Sequence, residues 1–394
     1  MNFSLSFARC ARRADLVSVR LPSRFCKRLM RSENTACFRH KPLLIGLAVA
    51  PTSDDTFTID AGYVSDHQGE DYLDEADEAI QGIGECVHLR VEDDFLDHQF
   101  ALDLREVFER RFRDPTEMTE WRFVWDYWYV KGQYELHRTF ASDYFGEELY
   151  GKLEDALLTY ARSNLGCRSM TPVWMSYYVD GNRQELHCDN PHGPWAFVLS
   201  LTPWSSRRFE GGETQIIKPQ ILDMWRGYQG GHMEFDEIMD TVPALFNRLT
   251  VFDPRYPHGV REVRGVRNPV EGRLVLHGWF TEPEPFFEGG LDESVATDVL
   301  NRGLETLLEK LNTMAQGHGT LVIRLTVSGT SGDVLELEFL TDTLRLNPQD
   351  LSQGVDPVAA RVDILEEIEA ALVRLKFPLT DKGNTSITLP LIFE

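Results

Sequence analysis

Apolar residues recur every three or four positions in two stretches of the first half of the chain. This spacing places them on one face of a helix, and it predicts amphipathic helices over 97–113 and 146–164. The segment between these helices is dense in aromatic residues from Trp121 to Tyr129. We interpret it as a buried core strand, because strands favour aromatic side chains. A wall of a substrate pocket is the alternative interpretation.

Between 172 and 287 the pattern changes to short apolar runs separated by Gly, Pro or Asn. The clearest runs are 173–179, 195–201, 213–217, 248–252 and 273–280. Regularly spaced short strands of this kind predict a β-sandwich or barrel. Residues 219–247 interrupt the pattern, and we expect a long inserted loop there with a short helix at 234–240. Long loops in compact domains often act as lids over a site.

A third pattern begins after Gly290. It predicts a helix at 295–311, strands near 320–327 and 334–346, a helix at 357–376 and a last strand at 385–393. Asp356 suits the N-cap of the second helix and Pro357 its first turn. We therefore divide the chain into a leader (1–50), a linker (51–86), a mainly β domain (87–290, with the insert 219–247) and a small α+β module (291–394).

Charge is distributed unevenly along the 394 residues, which carry a formal net charge of −23. The leader holds ten basic and two acidic side chains, which leaves 30 basic and 61 acidic residues for the rest. A body this acidic is repelled by phosphate backbones and anionic lipid, so we expect no nucleic-acid partner and no binding to membrane surfaces. A hydrophobic fraction of 42% excludes disorder throughout the chain.

The leader is rich in Arg and Ser and nearly free of acids, which is the composition of an organelle transit peptide. We therefore expect a plastid or mitochondrial location. A disordered basic tail, or a true start at Met30 with a cytoplasmic location, is the alternative. The apolar run at 42–50 is too short for a membrane span, which needs about 20 residues. Six cysteines without disulfide-framework spacing favour a reducing compartment.

The candidate chemistry is concentrated in His187-Cys188-Asp189 and in His258. Residues i and i+2 of a strand point to the same face, so His187 and Asp189 can converge on one ion while Cys188 points away into the core. His258, from a distant strand, would complete a set of two histidines and one carboxylate. That set, with open coordination positions beside it, suits non-haem Fe(II) oxygenases.

Arg273 begins the apolar run at 273–280, fifteen residues after His258. An arginine at this place in a barrel needs an anionic partner, and its planar guanidinium binds a carboxylate through two hydrogen bonds. A dicarboxylate cosubstrate could chelate the metal at one end and reach Arg273 at the other. A strand-edge arginine paired with a surface acid is the alternative.

Together these features resemble a 2-oxoglutarate- and Fe(II)-dependent dioxygenase of the prolyl 4-hydroxylase type over residues 87–290. The matching segments occur in the family's order at 91–96, 178–191, 209–214, 252–260 and 273–280. The resemblance implies a mainly β catalytic domain, a double-stranded β-helix or jelly roll of the cupin-like kind, with flanking helices. The small α+β domain would follow it.

The resemblance also implies the roles of individual residues. His187, Asp189 and His258 would hold a catalytic Fe(II), and Arg273 would bind the distal carboxylate of 2-oxoglutarate. O2 would be consumed, with ascorbate as a reductant. The same likeness places two further side chains beside the cosubstrate, Tyr178 and His277.

Two departures from the family pattern affect this assignment. The charged loop at 261–271 lengthens the interval before Arg273, so Arg264 or Arg267 could compete for its role. The tyrosine that some prolyl hydroxylases place beside the distal carboxylate has no clear counterpart, because Leu199 and Ser200 fall there.

Candidate substrate contacts are His232 and Trp225 in the insert, and His137 by analogy with the family. His192 is expected to cap a turn or to face solvent. The expected reaction is hydroxylation of a C–H bond in a protein, of the prolyl type, or in a small molecule, with release of succinate and CO2. The alternatives are a non-catalytic β-helix scaffold and a cupin-like metalloenzyme that does not use 2-oxoglutarate.

The module at 291–394 resembles the TonB C-terminal family and its relatives in gliding-motility proteins. The resemblance rests on 372–378 and 385–393, which follow a predicted β-hairpin. No metal or nucleophile constellation lies in this part of the sequence. We therefore expect the module to bind a protein partner, with strand pairing as one mode, or to present the substrate.

Overall fold

The structure is a computed structural model that describes residues 19–20, 87–114, 116–189, 192–227, 234–235, 237–281, 284–314, 317–347 and 355–393. The leader therefore lies outside it except for strand β1 (Val19–Arg20). The acidic linker at 51–86, His232 and the side chain of Trp225 also lie outside the described residues.

A twelve-stranded antiparallel sheet forms the mainly β domain. In chain order its strands are β2 (Leu89–Glu92), β3 (Asp126–Val130), β4 (Tyr134–Phe140), β5 (Ser169–Met170), β6 (Trp174–Tyr178), β7 (Arg183–His187), β8 (Trp195–Ser200), β9 (Thr214–Ile217), β10 (Met239–Val242), β11 (Leu249–Phe252), β12 (His258–Val260) and β13 (Arg273–Thr281). Their spatial order is β10-β9-β12-β7-β4-β6-β13-β8-β11-β2, with β3 on β4 and β5 on β13. The sheet curls into a jelly roll, which confirms the predicted fold class.

Within the described residues six α-helices accompany the strands: α1 (His98–Phe112), α2 (Ala141–Phe145), α3 (Glu147–Asn164), α4 (Pro219–Gly227), α5 (Glu293–Met314) and α6 (Pro357–Val373). Asp97 caps the N-terminus of α1, because its carboxylate accepts a hydrogen bond of 3.0 Å from the backbone N–H of Phe100. The apolar faces of α1 and α3 are buried against the strands, as the spacing of their apolar residues predicted. None of the helices in the described part of the chain is both long and apolar enough to cross a bilayer.

The aromatic segment does not form the buried core strand that we predicted. All five residues of β3 are exposed, and Tyr127 and Tyr129 are 50% and 56% exposed. The physical reason is position, because β3 pairs with β4 at the border of the sheet, and β-propensity does not distinguish a border strand from a central one. Trp121 and Trp125 do pack against the core.

The predicted helix at 234–240 is also wrong. Met239–Val242 forms β10, which pairs antiparallel with β9, and the helix of the insert is α4, directly after β9. Backbone pairing with β9 satisfies the N–H and C=O groups of a segment that is too short to be a stable helix alone.

The predicted helix, two strands, helix and last strand occur in that order as α5, β15 (Gly317–Val327), β16 (Val334–Asp342), α6 and β18 (Thr385–Phe393). Two short strands that we did not predict, β14 (Phe286–Gly289) and β17 (Arg345–Leu346), accompany them. The sheet runs β1-β18-β15-β16, and both helices share a separate hydrophobic core with it. As predicted, Asp356 caps α6 by accepting a hydrogen bond from the N–H of Val358 at 3.2 Å. The resemblance to the TonB C-terminal family stays a prediction.

The C-terminal unit packs directly on the mainly β domain. The indole of Trp195, which is fully buried, donates to Thr341 Oγ1 at 2.8 Å, and that hydroxyl donates to the carbonyl of Leu165 at 2.7 Å. Arg255 donates to the carbonyl of Thr343. Arg255 lies three residues before His258, so the contact reaches the loop that leads into the candidate metal site.

Candidate active site

Two neighbouring strands bring the candidate metal ligands together. His187 is the last residue of β7, and it faces His258, the first residue of β12, in the antiparallel register. Asp189 follows β7 by two residues, and its two carboxylate oxygens lie 3.5 Å from His187 Nε2 and 3.6 Å from His258 Nε2. Ligand atoms of the three side chains all lie within 4.8 Å of one another. This arrangement fits one metal ion with part of its coordination sphere left open.

Backbone carbonyls orient both imidazoles. Nδ1 of His187 lies 2.8 Å from the carbonyl of Glu185, and Nδ1 of His258 lies 2.9 Å from the carbonyl of Tyr256. If each Nδ1 carries the proton and donates it, each Nε2 lone pair is left to face the centre of the site, as metal ligation requires.

The three ligands influence one another's protonation. Burial raises the pKa of Asp189, but the hydrogen bond from His187, the charge of His258 and the Trp279 indole outweigh burial and lower it. Burial lowers the pKa of His258. The pKa of His187 is raised, because its contacts with Asp189 and the Glu185 carbonyl outweigh its burial. Asp189 is therefore ionised near neutral pH, as a metal ligand must be.

Trp279 orients the carboxylate, a role that we did not predict. Its indole N–H donates to Asp189 Oδ2 at 2.9 Å, while the backbone N–H of Asp189 donates to the carbonyl of Pro254 at 3.0 Å. Strand alternation could have indicated only that Trp279 faces the site, because it lies two and six residues along β13 from His277 and Arg273, on the same face.

A cavity of about 220 Å³ opens beside the three ligands, and Arg273 lies in its wall. This arginine is 1% exposed, and its Nη2 donates to Thr214 Oγ1 at 3.2 Å. Its Nε and Nη1 have no hydrogen-bond partner among the described residues. Its guanidinium carbon lies 4.7 Å from the ring centroid of Tyr178. A buried cation with unsatisfied N–H groups calls for an anion, so the site fits a carboxylate ligand.

Of the three candidate arginines, the structure places Arg273 alone at this cavity within the described residues. Arg264 is exposed and forms an ion pair with Glu262, and Arg267 is also exposed. The apolar strand that Arg273 begins carries it inward, whereas the other two lie in the charged loop.

Tyr178 and His277 also line the cavity, as the predicted cosubstrate contacts should. Burial raises the pKa of Tyr178, so its phenol stays protonated. Burial, with the nearby charges of Arg273 and Arg138, lowers the pKa of His277 to about 4. His277 is therefore neutral near pH 7, and its Nε2 lies 2.8 Å from the hydroxyl of Ser176.

The candidate substrate residues fare differently. His137 does not line the cavity: its ring stacks on Tyr177 with centroids 4.6 Å apart, because strand alternation turns it to the opposite face of β4 from Leu136 and Arg138. His232 and the Trp225 side chain lie outside the described residues. His192 is exposed, as expected, with its ring 4.7 Å from that of Trp279.

Cys188 is exposed rather than buried in the core as predicted. β7 ends at His187, so the inward and outward alternation of the strand no longer applies to Cys188. The cavity also contains aromatic side chains that the sequence did not assign to it, Trp128, Tyr134 and Phe252. Trp128 belongs to the aromatic segment, for which a pocket wall was the alternative interpretation.

Comparison with known proteins bears on this site. Residues 173–281 match the family model described as the 2OG-Fe(II) oxygenase superfamily, a span that includes His187, Asp189, His258 and Arg273. A search of curated proteins found no match.

Several solved structures are similar to the chain. A prolyl-4-hydroxylase from Pseudomonas putida is 16% identical, with 50% of this chain and 92% of that chain covered at a TM-score of 0.35. A prolyl hydroxylase from Trichoplax adhaerens, in complex with a hypoxia inducible factor peptide fragment, is 14% identical, with 51% and 86% covered at 0.37. A 2OG-Fe(II) oxygenase family oxidoreductase from Burkholderia pseudomallei is 14% identical, with 53% and 92% covered at 0.34.

Proposed function

We propose that this protein is a 2-oxoglutarate-dependent dioxygenase that hydroxylates a C–H bond of a protein side chain, of the prolyl type, or of a small molecule, while 2-oxoglutarate yields succinate and CO2. The observation that carries the proposal is the buried guanidinium of Arg273 in the cavity beside His187, Asp189 and His258. Its Nε and Nη1 have no hydrogen-bond partner among the described residues. A metal-chelating dicarboxylate is the ligand that uses both features.

The residues of the chain have distinct tasks in this reaction. His187, Asp189 and His258 would hold Fe(II), which supplies the activation of O2 when it is bound. Arg273 would bind the distal carboxylate of 2-oxoglutarate with the N–H groups that now lack partners, and Thr214 holds its third nitrogen in place. Neutral His277 adds a hydrogen-bonding group to the same wall without adding charge.

Succinate formation tests the proposal. Full-length protein supplied with Fe(II), 2-oxoglutarate and pools of peptides or metabolites should release succinate, and His187→Ala and Arg273→Gln should abolish that release. Arg264→Gln is the matched control, because it removes an exposed arginine near Arg273 in sequence and should leave the rate unchanged. Turnover that continues without 2-oxoglutarate would instead support a cupin-like metalloenzyme, and binding without turnover would support a scaffold.

The remaining expectations also stand as proposals. Ascorbate as a reductant predicts that it prolongs succinate release without changing its initial rate. A targeting role for 1–50 predicts that a fluorescent fusion of the leader reaches an organelle, and diffuse fluorescence would oppose it. A protein partner for 291–394 would pair with β16, the border strand of its sheet, so Leu335→Pro should abolish complex formation.

A further inference from the structure

Arg138 is a second arginine in the wall of the cavity. It lies on β4 opposite Ser176 of β6, which in turn lies opposite Val275 of β13. Arg138, Ser176 and Val275 thus form one row across three neighbouring strands, and the third of these strands also holds Arg273. Leu136 and Arg138 contribute to the cavity, while His137 between them faces the other side.

Two indole rings hold the Arg138 guanidinium in place. Its central carbon lies 3.7 Å from the ring centroid of Trp128 and 4.3 Å from that of Trp174. Phe140 stacks on Trp174 with centroids 3.9 Å apart and so fixes that indole. Aromatic stacking occupies the flat faces of a guanidinium, whereas hydrogen bonds form in its plane. The arrangement therefore orients the group and keeps its plane for a hydrogen-bonding partner.

The charge of Arg138 is only weakly compensated. Its Nε lies 3.5 Å from an oxygen of Asp126, without a hydrogen bond, and that carboxylate is 61% exposed. Asp189 is the one carboxylate among the described residues that line the cavity. Asp189 is a candidate ligand of the metal ion, so its charge does not compensate that of Arg138. An ordered guanidinium in such a cavity is suited to bind an anionic group from solution.

Arg138 and Arg273 lie at different places in the cavity wall. Arg138 is two strands from β13 and level with Val275, and Arg273 is two residues further along. Strand spacing of about 4.8 Å and a rise of about 3.4 Å per residue place their Cα atoms about 12 Å apart. With 2-oxoglutarate held between the metal ligands and Arg273, Arg138 is left for the other reactant.

We propose that Arg138 is an anion-binding subsite for the substrate that is hydroxylated, and that this substrate carries a carboxylate or a phosphate group. The inference rests on the proposed function, because it assumes that 2-oxoglutarate occupies Arg273. The indole of Trp128 supplies an apolar contact beside the anion, so the subsite favours an anionic group attached to a ring or a short apolar segment.

Binding of matched anionic and neutral probes tests the subsite. Full-length protein is loaded with Co(II) in place of Fe(II), so that no turnover occurs, and is saturated with 2-oxoglutarate. Calorimetric titration then compares benzoate with benzamide, N-acetylproline with its amide, and phenyl phosphate with phenol. The anion of at least one pair should bind about tenfold or more tightly than its neutral partner, because a guanidinium adds charge-assisted hydrogen bonds. The first two pairs report a carboxylate and the third a phosphate.

Variants assign the preference to one side chain. Arg138→Gln should reduce the preference for the anion over its neutral partner to less than about threefold. Arg138→Lys keeps the charge without the planar guanidinium, so it should retain part of this preference. Arg207→Gln is the matched control, since Arg207 also stacks on an indole, 3.9 Å from the Trp204 ring, but does not line the cavity. It should keep the full preference. Thermal unfolding of each variant identifies any loss of fold.

The outcomes separate the subsite from the proposed function. No preference in any pair, a preference that survives Arg138→Gln, or equal loss in Arg207→Gln would overturn the subsite. Loss of 2-oxoglutarate binding in Arg138→Gln would also overturn it, because Arg138 would then belong to the cosubstrate site. Failure of the wild-type protein to bind 2-oxoglutarate at all would overturn the proposed function instead.

Discussion

Replacing Trp279 by phenylalanine should weaken metal binding without disturbing the fold. The substitution keeps an aromatic ring in the cavity wall but removes the N–H that donates to Asp189 Oδ2 at 2.9 Å. A hydrogen bond to a charged group contributes about 1.5–3 kcal/mol, and each 1.4 kcal/mol is a factor of ten in a dissociation constant. The Kd for Co(II) should therefore rise about 10–100-fold, the range found when partners of metal ligands are removed.

The assay is calorimetric titration of Co(II) into metal-free full-length protein at neutral pH, where Asp189 is ionised. Trp204→Phe serves as the control, because Trp204 is also largely buried, at 7% exposed, yet lies outside the cavity. It should leave the Kd for Co(II) unchanged. An unchanged Kd in Trp279→Phe, or an equal rise in Trp204→Phe, would refute the orienting role of the indole.

Three further predictions concern the cavity and its support. Thr214→Val keeps the shape of the side chain but removes the acceptor of the 3.2 Å bond from Arg273, so 2-oxoglutarate should bind about 3–10-fold more weakly by calorimetry. Burial lowers the pKa of His277 in the folded protein to about 4, from an ordinary value of 6.5. As the pH falls, the imidazole of His277 is therefore protonated in the unfolded chain before it is protonated in the folded protein. The free energy of unfolding should then decrease between about pH 6.5 and pH 4, by at most about 3 kcal/mol. Urea unfolding at several pH values measures this dependence, and His277→Asn should flatten it. Equal pH dependence in the variant and the wild type would contradict the prediction. Arg255→Ala leaves the buried carboxylate of Asp253, 2.6 Å from Arg255 Nη2, without its cation and breaks the contact with the C-terminal unit. It should lower the free energy of unfolding by about 2–3 kcal/mol, while Arg264→Ala, at an exposed pair, should change it by less than about 0.5 kcal/mol.

The local patterns of the sequence were sufficient for the main elements of the fold. Periodic apolar residues located α1 and α3, and turn residues separated the short strands of the jelly roll. The pair His187 and Asp189 could be recognised from its separation of two residues, although β7 ends at His187 and Asp189 lies in the segment that follows the strand. Arg273 could be recognised because a charged residue begins an otherwise apolar strand.

The features that escaped prediction depend on which strands become neighbours. The aromatic composition of β3 favours a strand, but only its border position explains why Tyr127 and Tyr129 are exposed. The register of β4 decides that Arg138 faces the cavity and His137 does not. The bond between Trp279 and Asp189 joins residues 90 positions apart, so no local pattern contains it.

The central claim is that the metal ligands and Arg273 together bind 2-oxoglutarate, and binding of this molecule to the Co(II)-loaded full-length protein tests it most directly. Calorimetry should show one site per chain, with binding lost when Co(II) is omitted and weakened at least tenfold in Arg273→Gln, while Arg264→Gln binds like the wild type. Equal affinity for 2-oxoglutarate with and without the metal, or in Arg273→Gln and the wild type, would contradict the claim.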